Sequence, residues 1–258
     1  MRLLSIVLAG ILCSMAWIVP PAYSASPGEE RHERKSPADV MPQFLGIPYR
    51  VDGVINEQGE YARFNAPAIV MKTPGLNCSG LVLSASRPVL GKNIAITEAT
   101  RDRNSDSGPD SPDGHDWDFG FDLIMNISEG ENRALLVPGN ALLSSGEMRG
   151  LSGKTVPTWD IHAPDFAADL LGRIKPGGLY LVSFSKHTAP DAPARIHYHV
   201  GAITRENNET VWLYGTTSSS GRVIRVNLAD PKGIARFRSS FRNTKKSFKR
   251  LTVLEIVP

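Results

Sequence analysis

Between residues 179 and 228 the chain is a succession of short β-rich runs with turn residues between them, and this limits the fold most. Residues 179–184, 196–204, 210–214 and 221–228 are dense in Val, Ile, Leu, Tyr and Thr, the residues that fit a pleated surface. The links between them are short, and short links join antiparallel neighbours, because a parallel return needs a crossover of a dozen or more residues. Ile234, Phe237 and Phe241 then fit one face of an amphipathic helix, and residues 251–257 read as a last strand. Helices are expected mainly earlier in the chain. Ser36-Pro37-Ala38-Asp39 has the form of an N-cap, a proline at N1 and an acid at N3, starting a helix to about Leu45. Helices first and a β-meander after imply an α+β domain in which a helix packs on an antiparallel sheet.

Residues 1–24 do not count toward that domain. Arg2 precedes an apolar run over residues 3–19, Pro20 and Pro21 end it, and Ala22 and Ser24 offer small residues for cleavage before Ala25. This pattern reads as a secretory signal peptide, with an uncleaved membrane anchor as the rival reading. Residues 25–35 are charged and aperiodic, and read as a linker to one domain over residues 36–258. Cys13 lies in the apolar run, so a processed chain keeps Cys78 alone. A single free thiol in an exported protein cannot form an internal disulfide and is conspicuous. Export also argues against nucleic acid as a partner, and no later segment is apolar enough to span a membrane.

Cys78 sits in Leu76-Asn77-Cys78-Ser79-Gly80-Leu81-Val82. The Asn77 side chain is suited to cap a helix, and Leu81, Val82 and Ala85 give that helix an apolar face until Pro88, expected to stop it. Cys78 therefore falls at the first helical position, where unpaired N–H groups and the helix dipole favour the anionic form of a nucleophile. The bland alternative is a small cysteine packed in a core. A thiol nucleophile needs a base, usually histidine. Strict alternation along residues 195–200 places Arg195, His197 and His199 on one face and Ile196, Tyr198 and Val200 on the other. His199 is the more protected of the two histidines. The same His-x-His pair, completed by Asp160 or His162, would be a zinc site on a second reading.

The order of the pieces adds to this. Gly46-Ile47-Pro48-Tyr49, then Asn77-Cys78-Ser79-Gly80-Leu81-Val82, then the Pro176-Gly177 turn into a strand, then His199-Val200-Gly201, then the strand around Tyr214, resembles the NlpC family of papain-like cell-wall cysteine peptidases and amidases. The resemblance covers about residues 36–228. It implies Cys78 as nucleophile and His199 as base, with Tyr49 beside the active cysteine and Asn77 and Ser79 on the substrate side. Asn77 stands for the family's Asp, Asp52 for the first glycine of a Gly-Gly pair, and Tyr214 where the family carries His or an amide side chain. The stretch between Cys78 and His199 is about twice as long as the family suggests, most of the surplus being an acidic insertion over about residues 98–155.

The resemblance implies hydrolysis or transfer of an amide bond in peptidoglycan stem peptides through a Cys78 thioester, with Tyr214 orienting His199. No cofactor or metal is expected. A thiol amidase or acyltransferase on another substrate and a degenerate cell-wall-binding module are the alternatives. The basic stretch over residues 222–250 is a candidate surface for an anionic envelope polymer. The acidic insertion reads as a solvated lid or cleft wall, with a calcium loop as a weaker alternative because its spacing departs from the EF-hand pattern. Residues 94–97, 123–127 and 134–137 read as strands, and a helix is expected from Ala163 toward Arg173.

Overall fold

Ser36 caps the first helix as its sequence requires, its hydroxyl accepting the Ala38 N–H at 3.2 Å. The computed structural model describes residues 33–257 apart from 109, 110, 112, 113 and 140, so the expected signal peptide and linker residues 25–32 lie outside the described residues. The end of the linker is docked: Arg34 pairs with Glu131 at 2.8 Å, and the Lys35 N–H donates to the Pro88 carbonyl at 3.0 Å. Helix α1 (Pro37–Val40) continues as a 3₁₀ turn over Met41–Phe44. Three short strands follow, β1 (Gly53–Ile55), β2 (Tyr61–Arg63) and β3 (Ala66–Val70), in a small antiparallel sheet of that order. Runs of three to five residues are too short to show alternation, and the sequence gives no sign of them.

Helix α2 (Cys78–Leu90) carries the nucleophile candidate. Pro88 lies inside it and does not stop it. Proline there removes only one late hydrogen bond, and the helix ends at Gly91, whose φ of 63° is the left-handed cap glycine favours. Two further expectations are corrected. Residues 94–97 are not a strand but run into the short helix α3 (Ile96–Ala99), and residues 123–127 belong to helix α4 (Phe119–Ile127). Every residue from Gly120 to Ile127 is buried, and an apolar helix buried all round carries no polar face to betray its period.

The rest is mostly sheet: β4 (Asn132–Val137), β5 (Ala141–Ser144), β6 (Trp159–Asp160), helix α5 (Phe166–Arg173), β7 (Leu179–His187), β8 (Ala194–Asn207), β9 (Thr210–Thr216), β10 (Val223–Asn227), helix α6 (Pro231–Ser240) and β11 (Phe248–Val257). They form an eight-stranded antiparallel sheet in the order β10-β9-β8-β7-β11-β4-β5, with β6 pairing to β11. The protein is thus of mixed α+β class. One face of the sheet packs through Leu181, Val200, Ala202 and Tyr214 on α2 and α4. The other packs through Val182, Phe184, Ile203 and Leu213 on α5 and α6, around Phe166, Leu170 and Phe237. Full burial of each such side chain contributes about 1.5–3 kcal/mol, so both faces are strongly held. No helix among the described residues is long and apolar enough to cross a membrane.

Candidate active site around Cys78

Asn77 is extended, at φ −91° and ψ −178°, and its side-chain oxygen accepts the Gly80 N–H at 2.7 Å. That cap fixes the start of α2. The Asn77 N–H donates to the Gly53 carbonyl at 2.9 Å, which ties the start to β1. Inside α2 the buried Arg87 donates to the carbonyls of Ile94 at 2.9 Å and Asn56 at 3.0 Å, so the helix is also anchored further along. Cys78 is half-buried and its thiol is free. Its hydrogen-bond partner among the described residues is the Ser79 hydroxyl, at 3.9 Å. The N–H groups of Cys78 and Ser79 have no acceptor among the described residues. They are the orphan donors every helix start leaves, and here they flank a sulfur.

Cys78 opens on a cavity of about 320 Å³. Asn77 and Ser79 line it, and so do residues 196–200 of β8, His197 and His199 among them. Tyr49 is not among its lining residues. The Tyr49 main chain pairs with Leu76, which seats it beside the entry to α2 rather than in the cavity. Asp116 of the acidic insertion lines it too, and so do four residues to which the sequence did not point: Phe64, Asn65, Phe119 and Gly120. Only their distance along the chain hid them. Asp116 and Phe119 show that the acidic insertion is a cleft wall and, through α4, part of the core. Asp52 also lines the cavity and has φ 65°, a left-handed conformation that aspartate is among the few non-glycine residues to tolerate. Its side chain holds the Asn65 N–H at 2.9 Å.

The two histidines do not lie on one face. Phe184 pairs with His199 and Ser185 with His197, so Tyr198 is an extra residue in β8, a β-bulge. Beyond it the alternation is inverted. His197 faces α4: its ring lies 5.6 Å from that of Phe121, its Nε2–H donates to the Gly153 carbonyl at 2.9 Å, and its Nδ1 accepts from the Ser183 hydroxyl at 2.9 Å. Both nitrogens are committed, and burial pushes the imidazole down to about 4. The His199 ring turns to the other core, 5.3 Å from Phe184 and 5.6 Å from Phe241. Burial holds it at about 4 as well, so it is neutral at pH 7. Neither of its nitrogens has a hydrogen-bond partner among the described residues. His199 also lines a second cavity, of about 270 Å³, against α6.

The expected Cys78–His199–Tyr214 chain is therefore only partly assembled. Cys78 and His199 share a cavity, with no hydrogen bond between them. Tyr214 does not orient His199. Its side chain packs with the α2 core, on the face opposite the His199 ring, and its hydroxyl accepts from Arg225 Nη1 at 3.3 Å. The register of β8 on β9 is the reason: Tyr214 pairs with Ala202, three residues from His199, so alternation along β8 puts the two on opposite faces. No His, Cys, Asp or Glu group among the described residues has the geometry to hold a metal ion, and His197 spends both nitrogens elsewhere.

No family model matches the chain, and no curated protein matches it. Among solved structures, the crystal structure of a protein from Legionella pneumophila str. Philadelphia 1, carrying the family label DUF1460, is similar over 87% of this chain and 90% of that one. The identity is 17% and the TM-score 0.49.

Proposed function

We propose that the protein is an exported cysteine hydrolase of papain-like, NlpC-type fold that cleaves an amide bond in peptidoglycan stem peptides. The observation that carries the reading is the pairing, in one cavity, of a half-exposed thiol at a capped helix start with a neutral histidine whose nitrogens are uncommitted. Cys78 Sγ attacks the amide carbonyl carbon as its proton passes to His199. The oxyanion that develops is met by the N–H groups of Cys78 and Ser79, donors already fixed in place. The C–N bond then breaks, His199 returns the proton to the leaving amine, and water releases the acid from the Cys78 thioester. The His199 ring lies on the α6 side of the sheet, packed on Phe184 and Phe241 with no hydrogen bond, so this reaction requires β8 to rearrange at the Tyr198 bulge to bring the ring to the sulfur. Catalytic hydrogen bonds often tighten only when substrate is bound.

A second reading, a binding module without turnover, is favoured by one observation: the Tyr214 hydroxyl is bonded to Arg225, which leaves His199 without an orienting partner. Incubation with purified peptidoglycan fragments, followed by mass spectrometry of released peptides, separates the two. Release by the wild type, abolished in Cys78→Ala and His199→Ala, supports the hydrolase. Saturable fragment binding with no release by the wild type supports the module.

A further inference from the structure

Lys186 on β7 and Lys249 on β11 are direct partners across the sheet. Their ammonium groups stand 4.4 and 5.5 Å from the centre of the Tyr198 ring. A second register shift in β8 leaves Arg195 unpaired beside them. With Lys246, these side chains line a concavity of about 500 Å³ that also includes His187, Ile196 and Ser247. Its walls carry four cations and no carboxylate. None of the four forms an ion pair among the described residues. The Lys249 ammonium donates to the Ser247 hydroxyl at 2.6 Å, and burial together with Lys186 holds it below the ordinary lysine range. His187 adds no charge of its own. Its Nδ1–H donates to the Ala192 carbonyl at 2.7 Å, its Nε2 accepts from Ser185 at 2.8 Å, and burial pushes its pKa down.

Converging like charges with no acid among them oppose folding unless something offsets them. We propose that this concavity binds a phosphate group, free or carried on a larger molecule. A phosphate monoester brings nearly two negative charges and three acceptor oxygens, which a set of one guanidinium and three ammonium groups can match. A single carboxylate would offset only one of the four. Arg195 offers a planar fork, and the lysines act as point charges around it. Ile196 lines both this concavity and the Cys78 cavity, so a phosphate held here sits next to the cleft. The site is narrower than the basic stretch over residues 222–250. Arg238 of that stretch is spent on the carbonyls of Ile161 and Ala163, and Arg236 lies at the α6 cavity instead.

The site does not depend on Cys78 chemistry, and the test keeps the two apart. Isothermal titration calorimetry at low salt uses inorganic phosphate, glycerol phosphate and, as a carboxylate comparator, tricarballylate. Phosphate should bind saturably at one site. Lys186→Gln with Lys249→Gln should weaken it about tenfold or more, and salt at roughly 0.5 M should weaken it too, because exposed charges are screened. Cys78→Ala should bind phosphate as the wild type does. The double variant should keep or raise its melting temperature in phosphate-free buffer, because two converging like charges are gone, and this separates lost binding from lost folding. Tighter binding of glycerol phosphate than of phosphate would mark a carried group, and the reverse a free ion. No saturable phosphate binding, an unchanged affinity in the double variant, or tricarballylate bound as tightly as phosphate would overturn the assignment.

Discussion

His197 and His199 stand two residues apart on β8, and their rings face opposite sides of the sheet: His197 meets Phe121 of α4, and His199 meets Phe184 and Phe241. The Tyr198 bulge separates a structural histidine from an available one. His197 is fully engaged by Ser183 and Gly153, whereas His199 is held by packing alone.

That division predicts opposite phenotypes. His197→Ala leaves the Ser183 hydroxyl and the Gly153 carbonyl unpaired in a dry core and opens a cavity, so it should cost roughly 3 kcal/mol of stability. His199→Ala should cost less stability but slow the reaction of Cys78 with iodoacetamide and abolish peptide release. Urea unfolding and labelling rates, measured on both variants, check the pair. A His197→Ala protein that is fully stable but unreactive would reverse the assignment of roles.

Tyr214→Phe tests the register of β9 on β8, which pairs Tyr214 with Ala202 and turns it away from His199. Had Tyr214 oriented His199, removing its hydroxyl would slow turnover about tenfold. With the hydroxyl bonded to Arg225, the rate should stay within about twofold of wild type, and the cost should appear as about 1 kcal/mol of stability. Steady-state rates on peptidoglycan fragments, beside a melting curve, distinguish the two.

The strands of the last third were legible because runs dense in Val, Ile, Leu, Tyr and Thr lie between obvious turns. The start of α2 was legible because Asn77 is a cap in the structure as it is in the pattern. Helix α4 was not, since a helix buried on every side reads as a short apolar strand. The Tyr198 bulge had no signal either: no glycine or proline marks it, and it arises from pairing with β7. Tyr214 fails for a separate reason, the register of β9 on β8, which pairs it with Ala202 and so sets it on the face opposite His199.

Four buried groups give the fold a divided response to pH. Burial raises Asp118 to about 6 and Asp122 to about 7, from an ordinary 3.8, while it lowers His197 and His199 to about 4 from 6.5. The carboxylic acids bind protons more tightly in the fold, so they favour it at low pH, and that contribution is fully present below 3.8 and is lost as pH rises from there to about 6 for Asp118 and about 7 for Asp122. The histidines bind protons less tightly in the fold, so stability is lost as pH falls from about 6.5 toward 4. Asp122 faces Arg103, whose N–H it accepts at 2.8 Å, and the charges of Asp118 and Asp102. Asp122→Asn removes one side of this balance. Relative to wild type, the variant should gain stability as pH rises from about 4 to about 7, measured by urea unfolding across that range. A stability difference independent of pH would show that Asp122 titrates normally.

Two glycines in helices should respond to alanine with opposite signs. A Cβ at Gly80 would lie 1.9 Å from the Gly53 carbonyl oxygen and 2.9 Å from the Val54 Cα, so α2 would have to lift off β1. That same carbonyl accepts the Asn77 N–H, and the movement would loosen the cap that positions Cys78. The gain in helix propensity, about 1 kcal/mol, is smaller than the cost of overpacking against backbone, which runs to about 3 kcal/mol. Gly80→Ala should therefore lower the melting temperature by several degrees and slow Cys78 alkylation. Gly172 in α5 is exposed, is helical, and has nothing within 4 Å of the Cβ position. There the substitution only restricts the unfolded chain, and Gly172→Ala should stabilise the protein by about 0.5–1 kcal/mol with Cys78 reactivity unchanged. Melting curves and iodoacetamide labelling of both variants test this. Equal, small effects at the two positions would mean that α2 does not rest on β1 as closely as the Gly80–Gly53 contact requires.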